Sequence, residues 1–461
     1  MIVGEGPAKE EVRNGIPFCG RSGRELDHQY LPLAALVRDQ CWVTNVRKCP
    51  LSGFANPTVP QASLCAERHL KLELRYHQPE IVVTLGAVAC HTLFPDCDFQ
   101  MEVGLPRYNQ QLWDWEGCHV PLFHPAAGLH SDEFMIPLQW NFTNLRLIHR
   151  GEFQLPVDRF PSPSYLEIHD QSHLDSLFAT ARWDNIAMDT ETVPPGLPWC
   201  LSFSLSPGTG YVIPNSRLDL CRSLAHHISR CKLMVILHNA MFDLDILRSM
   251  GISITRFDDT MVRAYHLGNV RQSLKWLAYR FCGMHMQEFE DLVLPYARTV
   301  AVEWLRDAQE RLSKGVDRPV EEKLGRVSYR GLSKLATVMA RSQDRQLRLA
   351  LHEQWQLEME QYRSKPQVHA LSLVNRLAGD MDNDVVDKEG LPVNPWKRWG
   401  DWPGEVVEAI TNAMGTGLPL PNIEQVPRPL AIHYSARDSD ATLRIRGELI
   451  KRGVEMRRQV A

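Results

Sequence analysis

Two sets of residues in this chain have the types and spacing that chemistry needs. Asp189-Thr190-Glu191 closes the apolar run Ile186 to Met188, so both carboxylates leave a strand end two positions apart and on one face. Metal-assisted phosphodiester cleavage uses such clusters. Hard divalent ions prefer oxygen ligands and keep part of their water shell, and two ions ~3.5–4 Å apart stabilise both the attacking and the leaving oxygen. Leu237 to Asp243 (LHNAMFD) again sets a carboxylate after a buried run, and Tyr434 and Asp438 stand at i and i+4, on one helix face. The second set is N-terminal. Gly4-Glu5-Gly6-Pro7 directly follows Ile2-Val3, either as a turn that lets backbone amides approach a ligand or as a tight strand-to-helix connection. Downstream lie GIPFCGRSGRELD (15–27), VTNVRKC (43–49), VTLGAVA (83–89) and LFHPAAGLH (122–130). They bring a ring (Phe18), an amide (Asn45) and an imidazole (His124) to the ends of strands, where a parallel α/β domain gathers its site.

The elements that must hold these residues follow from patterning. Trp42–Val46 and Ile81–Gly86 are β-branched runs that predict buried strands, and Gln61–Tyr76, with leucines among charges, predicts a helix between them. Strand, helix, strand argues a parallel α/β domain over 1–151. Three prolines in 152–164 (EFQLPVDRFPSPS) mark a linker. A second α/β pattern starts at Ile186 and continues through Leu201–Leu205 and Leu233–Leu237. Residues 286–378 read as helical and charged, 379–429 as loop-like, and 432–452 as a helix. At 461 residues, two or three domains are expected. A net charge of −4 excludes a globally basic DNA-coating protein while leaving room for a local basic groove. No apolar run is long enough to span a membrane, and MIVGEG is no signal peptide. Eleven cysteines at irregular spacing fit reduced thiols and a cytoplasmic setting better than a disulfide scaffold.

The N-terminal motifs resemble the family 4 uracil-DNA glycosylases, marked by GEGPG, G-x-PFVG, TNV(V)KC and a late HPS or HPA. The resemblance covers about 1–150 in order and spacing, with Ala8 for glycine and Cys19 for valine as mild departures. It implies that Gly4 and Gly6 line the pocket, Phe18 stacks on uracil, Asn45 pairs with the O4 and N3 edge, and His124 donates to O2. Glu5, ranked above Glu11, would steady the sugar or place the attacking water. It also implies that Cys49 and Cys65, with fifteen residues between them, are half of a 4Fe–4S site. In the family the other half is a CxxC upstream of the first strand. Either a start codon set too far downstream or a shortened domain that has lost the metal accounts for its absence here, and buried reduced thiols are the other reading of the pair. Cys19 and Cys41 have no spacing that recommends them as substitutes.

The C-terminal motifs resemble the DEDDy 3′–5′ exonucleases, in the branch containing the proofreading domain of bacterial DNA polymerase I; FDDTMVRAYHLG (257–268) and SLKWLAYRF (273–281) match that branch too. The resemblance implies that Asp189, Glu191, Asp243 and Asp438 hold two Mg2+ or Mn2+ ions and that Tyr434 orients the attacking water. Asp259 is read as a turn anchor. Asp243 and Asp438 lie 195 residues apart, so about 285–425 is an insertion within an exonuclease domain running from 165 to 461. Inside it, Arg326, Arg330, Lys334, Arg341, Arg345 and Arg348 form a helical stripe that either tracks phosphates or is a solvated face. The fold class expected is therefore α/β: a three-layer α/β/α glycosylase fold with a parallel sheet, then a ribonuclease H-like fold with a large helical insertion. The first expectation for function is a bifunctional enzyme acting on uracil-containing DNA and 3′ single-stranded ends, with a replicative polymerase as a candidate partner and a bacterial or phage setting. The alternatives are an exonuclease whose N-terminal domain only binds or docks, and a nuclease acting on RNA.

Overall fold

The structure, a computed structural model, describes residues 1–179, 181–268, 271–313, 366–383, 385, 394–402 and 404–460. The basic stripe from Arg326 to Arg348 lies outside the described residues. The chain divides into two compact units, one of Met1–Thr190, Cys200–Met286 and Ser435–Ala461, the other of Glu191–Trp199 and Gln287–Tyr434.

The first unit contains two sheets. In the N-terminal sheet, β1 (Ile2–Gly4), β2 (Val43–Asn45), β3 (Ile81–Leu85), β4 (Arg107–Leu112) and β5 (Trp115–Leu122) take the order β2-β1-β3-β5-β4. All pairs are parallel except the β4–β5 hairpin. Alternate side chains feed two cores, as a pleated strand buried on both faces requires. Val3 and Val82 pack with Ala62, Ala66, Leu70 and Ala89 from the helical stretches 59–77 and 87–93. Ile2 and Val83 pack with Leu26, Tyr30, Leu138 and Phe142 from 21–33 and 135–149. This is the three-layer α/β/α arrangement expected from the strand–helix–strand order.

The second sheet comprises β6 (Ser164–Glu167), β7 (Asn185–Val193), β8 (Leu197–Ser204), β9 (Thr209–Pro214), β10 (Met234–Leu237) and β11 (Phe257–Asp259), in the order β11-β10-β7-β8-β9-β6. β8 and β9 are antiparallel, while β7, β10 and β11 run parallel. The connection from β7 to β8, 194–196, is far too short for a parallel crossover, so that pair is a hairpin. An antiparallel meander followed by two parallel strands, in the order 3-2-1-4-5, is the ribonuclease H-like arrangement, here extended by β6 parallel to β9. Helices Gln171–Ala179, Leu218–Cys231 and Ala240–Ser249 cover it through Leu174, Leu220, Leu224 and Leu247.

The second unit is helical. Phe289–Ser313, Pro366–Asp382 and Gly404–Met414 share a core of Ala301, Leu305, Val374, Ala378, Val406 and Ile410. The loop expected over 379–429 is corrected here, for it holds the helices Pro395–Gly400 and Gly404–Met414 and the 3-10 turn Ile423–Gln425. Val406, Ile410 and Met414 recur every four residues and Trp396, Trp399 and Trp402 pack beside them. Burial of that short apolar face stabilises helices that a Gly- and Pro-rich composition conceals. The last helix, Arg428–Val460, starts before the expected Ile432 because Pro429 sits in its first turn, where a missing N–H is harmless.

Candidate active sites

The first site forms at the C-terminal ends of β1, β2 and β5. Gly4 and Asn45 are register partners across β1 and β2. A β-carbon at Gly4 would collide with Phe18 Cζ and stand 2.6 Å from Asn45 Oδ1, so the ring and the amide close over a bare backbone. Gly6 meets no such crowding; its nearest neighbour is Pro57 at 3.7 Å. Phe18 is buried with φ +52°, a left-handed conformation that a phenylalanine holds only under constraint. The constraint is visible. Arg38, paired to Asp27 at 3.1 Å, donates from Nη1 to Phe18 O (3.1 Å) and from Nη2 to Pro17 O. Gly23 packs so tightly under the Phe18 carbonyl that no side chain fits there. Glu11, buried, accepts from Gly20 N at 3.0 Å and anchors the other side of the loop, while its Oε2 has no hydrogen-bond partner among the described residues.

His124 stands against this assembly, its ring stacked on Phe18 at 5.5 Å and 29°. Burial lowers its pKa to about 4, against the opposing pull of Glu11 and with help from His130. Ala126 N donates to His124 Nδ1 at 3.1 Å. An acceptor Nδ1 on a neutral ring leaves the proton on Nε2, which is thus a ready donor. Glu5 is half-buried, and its desolvation raises its pKa despite a hydrogen bond from the Val88 backbone. Gly86, at φ +94°, lets it in, since a β-carbon there would be 2.5 Å from Glu5 Oε1 and 3.5 Å from His124 Cβ. Sequence reading missed Arg38, Gly23 and Gly86. The first is one arginine among many, and the glycines acquire meaning only from what packs on them.

Cys49 is exposed and Cys65 half-buried, with Lys48 N donating to Cys65 Sγ at 3.2 Å. Neither belongs to any group of three or more metal-binding side chains among the described residues, and neither Cys19 nor Cys41 joins them. A four-thiolate cluster is therefore not completed by these residues.

At the second site β7 and the C-terminal helix converge. Asp189, Glu191 and Asp438 offer carboxylate oxygens that all lie within 4.8 Å of one another, a donor set that fits a hard divalent ion. Asp243 is not a member of that group. It is buried in the first turn of Ala240–Ser249 and accepts from Thr190 N (3.0 Å) and Thr190 Oγ1 (2.6 Å), directly between Asp189 and Glu191. Burial pushes its carboxyl up to about 7. Tyr434, one helical turn before Asp438, is buried edge-on to Phe289 at 6.1 Å. Asp259 anchors a turn, as read from the sequence: it caps Thr260–His266 by accepting from Met261 N, and it also accepts from Ala240 N at 2.9 Å. Asp258, unremarked in the sequence, pairs with Arg446 at 2.7 Å and fixes the helix that carries Asp438.

The chain matches known families over two separate stretches. Residues 1–141 match the uracil DNA glycosylase superfamily, and residues 165–299 match a 3′-5′ exonuclease family. The chain is similar to the Type-4 uracil-DNA glycosylase of Sulfurisphaera tokodaii, 28% identical over 164 residues that are 35% of this chain and 74% of that protein. The Type-4 enzyme of Thermotoga maritima is 31% identical over 133 residues, 28% of this chain and 66% of its own. Among solved structures, the catalytic core of RRP6 from Trypanosoma brucei aligns at a TM-score of 0.24 and 16% identity over 29% of this chain and 39% of that one. The chain thus joins a uracil DNA glycosylase superfamily domain at 1–141 to a 3′-5′ exonuclease domain at 165–299.

Proposed function

We propose that this chain is a bifunctional DNA-processing hydrolase that excises uracil and degrades DNA from 3′ ends. The observation that carries the excision half is the closure of Phe18 and Asn45 over Gly4 with the His124 ring alongside. In this reading Phe18 stacks on the extruded base, and the Asn45 amide satisfies the uracil O4 acceptor and N3 donor together. The C1′–N1 bond breaks with its electron pair staying on the uracil, where His124 Nε2–H meets the charge growing at O2. Water adds to C1′ and gives its proton to a carboxylate, Glu5 first and Glu11 second. Gly4 and Gly6 keep the turn low enough for the base to enter. Ring, amide and imidazole gathered together favour excision over a domain that only binds or docks.

For the exonuclease, Asp189, Glu191 and Asp438 would hold a divalent ion, with Asp243 behind them through Thr190. Bound Mg2+ or Mn2+ would polarise the scissile phosphate and lower the pKa of the attacking water. Tyr434 would orient that water. The division we adopt is 1–151, a linker at 152–164, and 165–461 with an insertion at 285–425. Roles in repair or replication, a polymerase partner, and a cytoplasmic setting in a bacterium or phage-infected cell belong to the same proposal, as does any cluster that Cys49 and Cys65 share with further ligands. The deciding experiment is alkaline cleavage of a uracil-containing oligonucleotide by an Asp189→Ala variant, in which the nuclease is silent. Strand scission at the uracil is expected, and an intact oligonucleotide with DNA still bound would return the domain to a binding module.

A further inference from the structure

Three side chains around the helix Leu274–Cys282 reach out of the exonuclease-like part of the first unit into its glycosylase-like part. Arg280 Nη1 donates to Val103 O at 2.9 Å, Trp276 Nε1 to Gln100 O at 3.1 Å, and Arg271 Nη2 to Gln100 Oε1 at 2.6 Å. The Arg280 guanidinium also lies over the Trp276 ring, 5.3 Å from its centroid. Burial lowers the Arg280 pKa to about 10, so it stays charged at neutral pH, and a desolvated guanidinium binds a carbonyl strongly.

What these groups hold leads to His124. Gly104, at φ +80°, is pinned between two side chains: a β-carbon there would stand 2.5 Å from Asn141 Nδ2 and 3.6 Å from Arg280 Nη2. Its N–H donates to Pro121 O at 2.6 Å, and its carbonyl accepts from Asn144 Nδ2 at 3.2 Å. Asn141 Oδ1 accepts from Phe123 N at 3.1 Å, and Phe123 immediately precedes His124. Phe99, beside Gln100, packs edge-on against Phe123 at 5.9 Å. A glycine turn has little stiffness of its own, so its position depends on what clamps it.

We propose that Arg280, supported by Trp276 and Arg271, is a positioning residue for uracil excision: from outside the glycosylase domain it fixes the Val103–Gly104 turn and, through Asn141 and Phe123, the place where His124 stands. This rests on the excision reading above and extends it, because it makes excision depend on a residue of the other domain. A displacement of ~1 Å at a reacting group costs on the order of 10²-fold in rate.

The test uses full-length Arg280→Ala, Arg280→Lys and Trp276→Phe, with uracil release, exonuclease rate and hydrogen exchange of 119–126 measured on each. Arg280→Ala is expected to lower kcat for uracil release by about 10- to 100-fold with KM little changed and to speed exchange in 119–126, while leaving the exonuclease near its original rate. Arg280→Lys, which keeps one donor for Val103 O, is expected to recover most of the loss, and Trp276→Phe to cost several-fold. Unchanged release by Arg280→Ala overturns the proposal. So does a joint fall of both activities with Arg280→Lys no better and Trp276→Phe inert, since that pattern is a folding defect. Should the unmodified chain release no uracil, the excision reading fails by itself, and exchange at 119–126 still judges the clamp: faster exchange in Arg280→Ala supports it and unchanged exchange overturns it.

Discussion

His124 enters any reaction as a neutral donor, because the Ala126 amide occupies Nδ1 and burial holds the ring near pKa 4. Uracil release should therefore not decline through loss of this donor's neutral form as pH falls through 6.5, only as it approaches about 4. The same shift has a stability consequence of defined sign. Its folded pKa is lowered, so the unfolded chain takes the proton first and stability is lost as pH falls from 6.5 toward about 4. At roughly 1.4 kcal/mol per unit this reaches ~3 kcal/mol. Urea unfolding at neutral and acid pH should show a smaller acid penalty for His124→Gln than for the unmodified chain. That variant should also lose uracil release by ~10²-fold or more, the usual worth of a positioned donor. Asn45→Asp should cut release just as sharply, since a carboxylate accepts from N3–H but offers O4 no donor. Uracil-release kinetics on the two variants decide both points.

Among the elements, the turns between strand and helix carry the most constraint. Gly4→Ala places a methyl group against Phe18 and Asn45, and Gly86→Ala combines a left-handed φ with a collision at Glu5. Both should depress uracil release by ~10²-fold or more while leaving the exonuclease intact, because the crowding falls on the reacting groups. Parallel assays of the two activities on each variant would reveal any damage that spreads to the second sheet. Gly6→Ala meets only ordinary contacts within the protein, so its cost should fall on base entry alone and be smaller than that of Gly4→Ala. In the second sheet, Thr190 spaces Asp189 from Glu191 and donates two hydrogen bonds to Asp243. Thr190→Val removes the hydroxyl bond and leaves the backbone one. The expected result is a loss of exonuclease rate with uracil release unchanged.

On the scale of the whole molecule, the two chemistries should separate cleanly by mutation and by metal. Asp189→Ala deletes a ligand from the carboxylate group, so it should abolish most 3′-end degradation. Chelation by EDTA should do the same and be reversed by Mg2+ or Mn2+, with uracil release untouched throughout. Degradation that persisted in Asp189→Ala would remove the metal assignment. The basic stripe outside the described residues makes a prediction from sequence alone. Replacing Arg326, Arg330 and Arg341 by Gln should flatten the salt dependence of single-strand binding by up to ~0.7 slope units per lost phosphate contact. An unchanged slope would make the stripe a solvated face. Among the described residues, no helix is long and apolar enough to cross a membrane.

The sequence by itself determined what short-range pattern encodes. The apolar runs became β2, β3, β7 and β10, and Asn45 arrived at a strand end because a parallel α/β chain turns there, whereas β7 runs on to Val193, so Asp189 and Glu191 lie inside it rather than at its end. Asp189 and Glu191 share a face for the local reason that a strand alternates. Tertiary structure alone decided the rest. The helices inside 379–429 exist because Val406, Ile410 and the tryptophans found a core to fill, a gain invisible in a Gly- and Pro-rich window. Asp243 faced Thr190 rather than joining the other three carboxylates, a matter of packing around β7 that motif spacing does not carry. Arg38 under Phe18, Gly86 under Glu5 and Arg280 under Gly104 are contacts between segments far apart in the chain. Each depends on side chains meeting at ångström precision, and only the folded chain sets those distances.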